Sequence, residues 1–210
     1  GLTRILQLTP SLLTVYLLLL SAVCSGQVSS QDEAKASQDE ASALNELEVR
    51  RELNRLLQDQ AGVPAAIKYL DSILDKFPTD SDMLLMAINL NASHGMQLLS
   101  EDQIEGGHAA IRRAEGLAKA VAADPKHLQA ADTMLAEVFF HAAQTYATDK
   151  NPTAMYAALD QACDLGFERW DAFEEAKPFA EWVGDAEFQA YLAKQKALVP
   201  ERVAMRLRKE

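Results

Sequence analysis

The chain has 210 residues, 20 Lys and Arg against 31 Asp and Glu, a formal net charge of −11 and 49% hydrophobic residues. The apolar fraction excludes a disordered chain, and the two cysteines exclude a disulfide scaffold. The acidic balance excludes a nucleic-acid-binding domain, which needs clustered Lys and Arg against phosphate.

At the N-terminus, Arg4 precedes the apolar run Leu12 to Val23. That run has the length of a signal-peptide core and is short for a membrane span. Small residues at Ser21, Ala22, Cys24, Ser25 and Gly26 offer cleavage after Cys24 or Gly26, so residues 1–26 read as a signal peptide. Two alternatives stay open: an uncleaved anchor helix, and a lipoprotein signal in which Cys24 of LSAVC carries the lipid. Loss of residues 1–26 would remove Arg4 and leave Cys163 as the remaining thiol. Residues 27–41, QVSSQDEAKASQDEA, are polar and free of aromatics, which predicts a flexible linker. The doubled SQDEA within it reads as low complexity.

From there the pattern is helical. A first helix is predicted over 42–60, with Val49, Leu53, Leu56 and Leu57 near one face. Gly62 stops it. Pro64 sits in the first turn of the next helix, where its missing N–H costs nothing. That helix carries Ala66, Ile67, Leu70, Ile73 and Leu74 and ends at Phe77-Pro78, because a residue before proline avoids the helical region. A third helix runs from Ser81 to about His94, followed by a looser stretch from Gly95 to Gly107. Ser100 and Gln103 fit a capping box that opens the next helix, which ends at Ala123 before Asp124-Pro125. Leu128, Ala131, Leu135, Val138, Phe139, Ala142 and Tyr146 mark another. Asn151 is a natural N-cap with Pro152 behind it, and Gly166 is the matching C-cap. No run alternates Val, Ile and Thr, so no sheet is expected.

Helices joined by short turns invite a repeat search. Leu70/Ile73, Leu117/Ala120 and Leu159/Ala162 are each three apart, preceded four residues upstream by Ala66, Arg113 and Met155 and followed by Pro78, Pro125 and Phe167. This resembles the second helix of the tetratricopeptide repeat, and Leu135, Ala136 and Phe139 match the triplet of its first helix. Pro78 and Pro125 are 47 residues apart, against a family period of about 34. The surplus falls in the Gly95–Gly107 connection or in longer helices. Arg113 and Met155 replace the family's usual Ala, so the repeats are degenerate. Phe179, Trp182, Asp185, Phe188 and Leu192 are similar to a segment that closes such arrays. The resemblance implies an all-α fold over residues 42–198: antiparallel helix hairpins stacked as a short TPR-like right-handed solenoid with capping helices. An unrelated helical bundle is the alternative. Residues 199–210 read as a basic C-terminal helical tail with Arg202, Arg206, Arg208 and Lys209. The tail complements a helix macrodipole or docks on an acidic surface.

Signs of chemistry are sparse. His94, His108, His127 and His141 form no metal-binding pair, and solvated helix histidines are the simpler reading. Cys163 beside Leu159 and Ala162 reads as a buried small hydrophobe. Glu174-Glu175 and Asp80 with Asp82 read as a solvated face, and the late aromatics as core. No G-x-S-x-G, P-loop or dinucleotide fingerprint occurs, and no cofactor or metal is expected. Gly106-Gly107 reads as a flexible turn. The sequon Asn91-Ala92-Ser93 falls inside a predicted helix. The expectation is a non-enzymatic, exported protein, periplasmic or secreted, that binds a protein or peptide. It would reach a membrane only through an uncleaved signal or a lipidated Cys24. In the implied solenoid the first helices line a concave wall, with Asp82, Asn89, Gln129, Asp132 and Phe140 as its binding residues. Acidic groups there would favour a basic or polar ligand. Two other readings stay open. One is an accessory helical domain of a cell-envelope system such as a thioredoxin-like redox protein, although this chain has no C-x-x-C. The other is a helical enzyme with a site assembled from scattered residues.

Overall fold

A computed structural model describes residues 47–59, 62–123 and 129–207. The proposed signal peptide, Cys24, the polar linker, Asp124-Pro125 and His127 lie outside the described residues. The chain divides into two compact units, Gly1–Arg51 and Glu52–Glu210. Of the first unit, residues 47–51 are described, all helical, with Val49 buried. Everything that follows concerns the second.

The described residues contain eight α-helices and no strand. In the second unit residues 52–58 are helical and are labelled α1; Leu53 on it is buried, whereas Leu57 is exposed. Helix α2 (Gly62–Leu74) begins on a left-handed Gly62, whose φ is 51°, and buries Ala66 and Leu70. Asp80 caps α3 (Ser81–Ser100), its Oδ1 accepting from the N–H groups of Asp82 at 3.1 Å and Met83 at 3.0 Å. Helix α4 follows as Ile104–Ala123. A 3₁₀ turn, Gln129–Ala131, leads into α5 (Asp132–Thr148), and α6 is Pro152–Asp164. Asn151 caps α6 as the sequence predicts, its Oδ1 accepting from the Ala154 N–H at 3.1 Å. Gly166, with φ 100°, closes α6, and the Phe167 N–H reaches back to the Ala162 carbonyl at 2.9 Å. The short α7 (Asp171–Glu175), a 3₁₀ turn at Lys177–Phe179 and the long α8 (Ala186–Leu207) complete the chain.

The looser stretch predicted from Gly95 to Gly107 is helical except for Glu101 to Gln103. Ser100 and Gln103 do not form a capping box. The Ser100 hydroxyl donates to the Gln97 carbonyl at 2.7 Å, and the Gln103 amide donates to the Glu101 carboxylate at 3.1 Å. Gly106 and Gly107 are not a flexible turn but lie inside α4. The reason is packing. A Cβ on Gly95 would sit 2.7 Å from Ile111 Cγ1 and 2.9 Å from the Gly107 carbonyl oxygen. A Cβ on Gly107 would sit 2.6 Å from Leu99 Cγ and 3.0 Å from the Gly95 oxygen. The two glycines let α3 and α4 touch backbone to backbone, which makes an antiparallel hairpin around a three-residue turn.

Helices pack mainly on their neighbours in sequence: α2 on α3, α3 on α4, α4 on α5 and α5 on α6, with a smaller contact between α3 and α5. The buried face of α4 runs through Ile111, Ala114, Ala118 and Val121. Leu117 is only partly buried and Ala120 is exposed, so the middle pair of the repeat register sits one residue off the packed face. Arg113, in the small-residue place of that register, is outside the core and paired with Asp71. In α5 nearly every side is covered, and Leu135, Ala136 and Phe139 are all buried.

Behind α5 and α6 lies an aromatic core. Phe140 stacks on Phe167 at 4.3 Å between centroids and meets Phe173 edge-on at 5.3 Å. Phe179 lies 5.7 Å from both Phe173 and Phe188. Such rings bury much apolar area and add about 0.5–1.5 kcal/mol per favourable pair. Trp182 is half-buried and donates through Nε1 to the Ala147 carbonyl at 3.3 Å. Asp185 caps α8 by accepting from Glu187 at 2.7 Å and Phe188 at 3.1 Å. Helix α8 runs through residue 199, with Pro200 inside it.

Candidate functional site

The first helices of the two hairpins, α3 and α5, each keep one stripe open to solvent. On α3 it is Asp82, Met86, Asn89 and Ser93, at four- and three-residue steps. On α5 it is Thr133, Glu137, His141, Gln144 and Thr148. Asp82 is exposed and Asn89 half-buried, so these two expected binding residues share the α3 stripe. Gln129 is exposed on the 3₁₀ turn and Asp132 is half-buried at the first residue of α5. Phe140 belongs elsewhere. It is 3% exposed, and its ring is used up by Phe167, Phe173 and Phe179. Its assignment to a ligand-facing wall is corrected to a core position, because α5 is covered on that side by the closing segment.

The α5 stripe carries groups that sequence reasoning alone passes over. Arg169, from the segment after α6, binds Glu137 Oε2 through Nη2 at 2.6 Å and lies 5.2 Å over the Phe167 ring. His141 Nδ1 is 3.1 Å from Gln144 Oε1. Burial lowers the pKa of its imidazole, against the hydrogen bond to Gln144. The spacing of Glu137, His141 and Gln144 marks one helix face in the sequence. Nothing local points to Arg169, 32 residues from Glu137. Asn89 keeps its amide free of any hydrogen bond among the described residues.

A second polar set joins α4 to the end of α5. Glu115 is 3% exposed. Its carboxylate accepts the Tyr146 hydroxyl at 2.6 Å and pairs with Lys119 Nζ at 2.7 Å. His108 Nδ1 is 3.2 Å from Asp149 Oδ1, and Arg112 pairs with the same carboxylate. The reading of the histidines as solvated is thus corrected for the three described ones: His108 is buried, His94 and His141 are half-buried, and the His94 Nδ1 is buried without a hydrogen-bond partner among the described residues. Burial, and then the bond to Glu115, pushes the Tyr146 hydroxyl up to about 12. Burial and the bond to Asp160 push Tyr191 upward too, and burial pushes Cys163 to about 11. Both Glu115 oxygens are engaged, one by Tyr146 on α5 and one by Lys119 on α4, so this set ties the two helices together. Among the described residues no three metal-binding side chains come together.

No protein-family model, no curated protein and no solved structure matches this chain.

Proposed function

We propose that the chain is a non-enzymatic helical interaction module that holds an extended protein or peptide segment along the open stripes of α3 and α5. One observation carries the proposal. The two hairpins keep their first helices partly open to solvent, with half-buried amides at Asn89 and Gln144, while Arg112, Arg113, Glu115 and Glu137 of α4 and α5 are spent on internal pairs. Amides cost less to desolvate than ionised groups and can both donate to and accept from a peptide backbone. Met86 adds an adaptable apolar contact. In this reading the hairpins form a short tetratricopeptide-like solenoid, supported by the chain-order packing and by the contact of α3 with α5. Export, to the periplasm or outside the cell, is proposed from Arg4 and the run Leu12 to Val23.

The test is capture followed by quantitative binding. A photo-crosslinker at position 89 should capture a partner from the exported fraction, and the same crosslinker at Lys68, on α2, should not. Asn89→Arg and Gln144→Arg should each weaken the captured partner about tenfold or more, as loss of a central buried contact does. Equal affinity in wild type and both variants would remove the stripes from the interaction.

A further inference from the structure

The two halves of α8 are held in different ways. Before Pro200, Phe188 and Leu192 are buried, and Tyr191 and Gln195 both donate to Asp160 Oδ1, at 2.8 and 2.7 Å. Pro200 has no N–H, so the helix lacks a rung at that turn. Beyond it no described side chain is buried; Val203 is 37% and Met205 48% exposed. Two arginines do the holding. Arg202 Nε donates to Asp164 Oδ1 at 2.7 Å, and its Nη2 donates to Gln195 Oε1 at 2.6 Å. Arg206 Nη2 donates to Glu168 Oε1 at 3.0 Å, and its guanidinium fills the notch where Gly166 has no side chain.

We infer that residues 199–207 form a clasp, held by charge rather than by apolar burial, that swings about Pro200 and in opening uncovers the thiol of Cys163. Cys163 lies on α6 between Asp160 and Asp164, the two carboxylates on which α8 is tied down, and is 3% exposed. Arg202 exerts the largest effect of any charge on its thiol, which burial nevertheless pushes up to about 11. The Arg202 charge by itself favours the thiolate and burial outweighs it, so the closed clasp acts on the thiol by covering it. Asp164 and Glu168 face water on their outer sides, so salt reaches the pairs that hold the clasp shut. A segment fastened by few buried apolar groups opens at lower free energy than the core beneath it.

The intact chain is labelled with N-ethylmaleimide under native conditions, and the Cys163 peptide is read by mass spectrometry separately from Cys24. The double variant Arg202→Gln/Arg206→Gln should label Cys163 about tenfold faster than wild type at the same unfolding midpoint. Pro200→Ala should label more slowly, because it restores the missing helical bond. Raising sodium chloride from about 0.05 M to about 0.5 M should speed the wild type and leave the double variant unchanged. A double variant that labels at the wild-type rate overturns the clasp. So does a wild-type rate that ignores salt and rises only where the whole chain unfolds. If the double variant fails to fold, an unchanged rate in Pro200→Ala overturns the hinge by itself.

Discussion

The α3–α4 hairpin and the aromatic core behind α5 and α6 solve the same problem by opposite means. The hairpin removes side chains: Gly95 and Gly107 bring two backbones into contact. The core piles them up, with Phe140, Phe167, Phe173, Phe179 and Phe188 in one cluster. A contact made by removing atoms fails when atoms are added. A contact made by adding atoms fails when they are taken away. The two regions should therefore respond to opposite kinds of substitution.

Four substitutions break or sharpen that contrast. The largest effect belongs to Phe179→Ala, which should cost about 3–5 kcal/mol through the cavity it leaves, measured by urea unfolding. A loss below about 1 kcal/mol would show that the cluster collapses freely and is not a packed core. Next is Gly95→Ala. Its new methyl meets the Gly107 carbonyl and the Ile111 backbone, and overpacking of this kind costs about 1–3 kcal/mol. An increase in stability there would end the idea of a backbone-to-backbone hairpin. At the seam between the regions, Tyr146→Phe should cost about 1 kcal/mol by taking a partner from buried Glu115. Tyr146 binds its proton more tightly in the folded chain, so its contribution is whole below pH 10 and is lost as pH rises toward about 12. A pH titration of stability should show that decline in wild type and less of it in the Phe variant. The smallest effect is a gain. On α4, a methyl added at Gly116 would find no neighbour within 4 Å, and Gly116→Ala should stabilise by about 0.5–1 kcal/mol. Thermal unfolding of the Gly95 and Gly116 variants side by side separates helix propensity from packing on one hairpin.

The same contrast explains what can be read in advance. Punctuated helices are legible, because Asn151, Pro152 and Gly166 act on their own chain within a few residues. The α3–α4 turn is not, since a glycine that admits a neighbouring helix looks in sequence like a glycine that breaks one. The packed face of α4 is shifted for a related reason: Ala114 and Ala118 are small, and Leu117 attracts the eye in any apolar periodicity. Phe140 fits an open wall on paper because α5 is apolar on almost every side, and a period of 3.6 residues cannot choose among covered faces. Of the expected site, Asp82 and Asn89 share one stripe of α3. The Arg169–Glu137 and Tyr146–Glu115 pairs join residues more than 30 positions apart and leave no local trace.

Asn91 is 2% exposed and its Nδ2 donates to the Ala87 carbonyl at 2.8 Å. The sequon it heads is therefore sealed as soon as α3 docks, and a sugar chain added beforehand would keep α3 from docking at all. In a secretory host that glycosylates nascent chains, sugar occupancy at this one asparagine would act as a stopwatch, recording whether the helix closes before or after the transferase arrives.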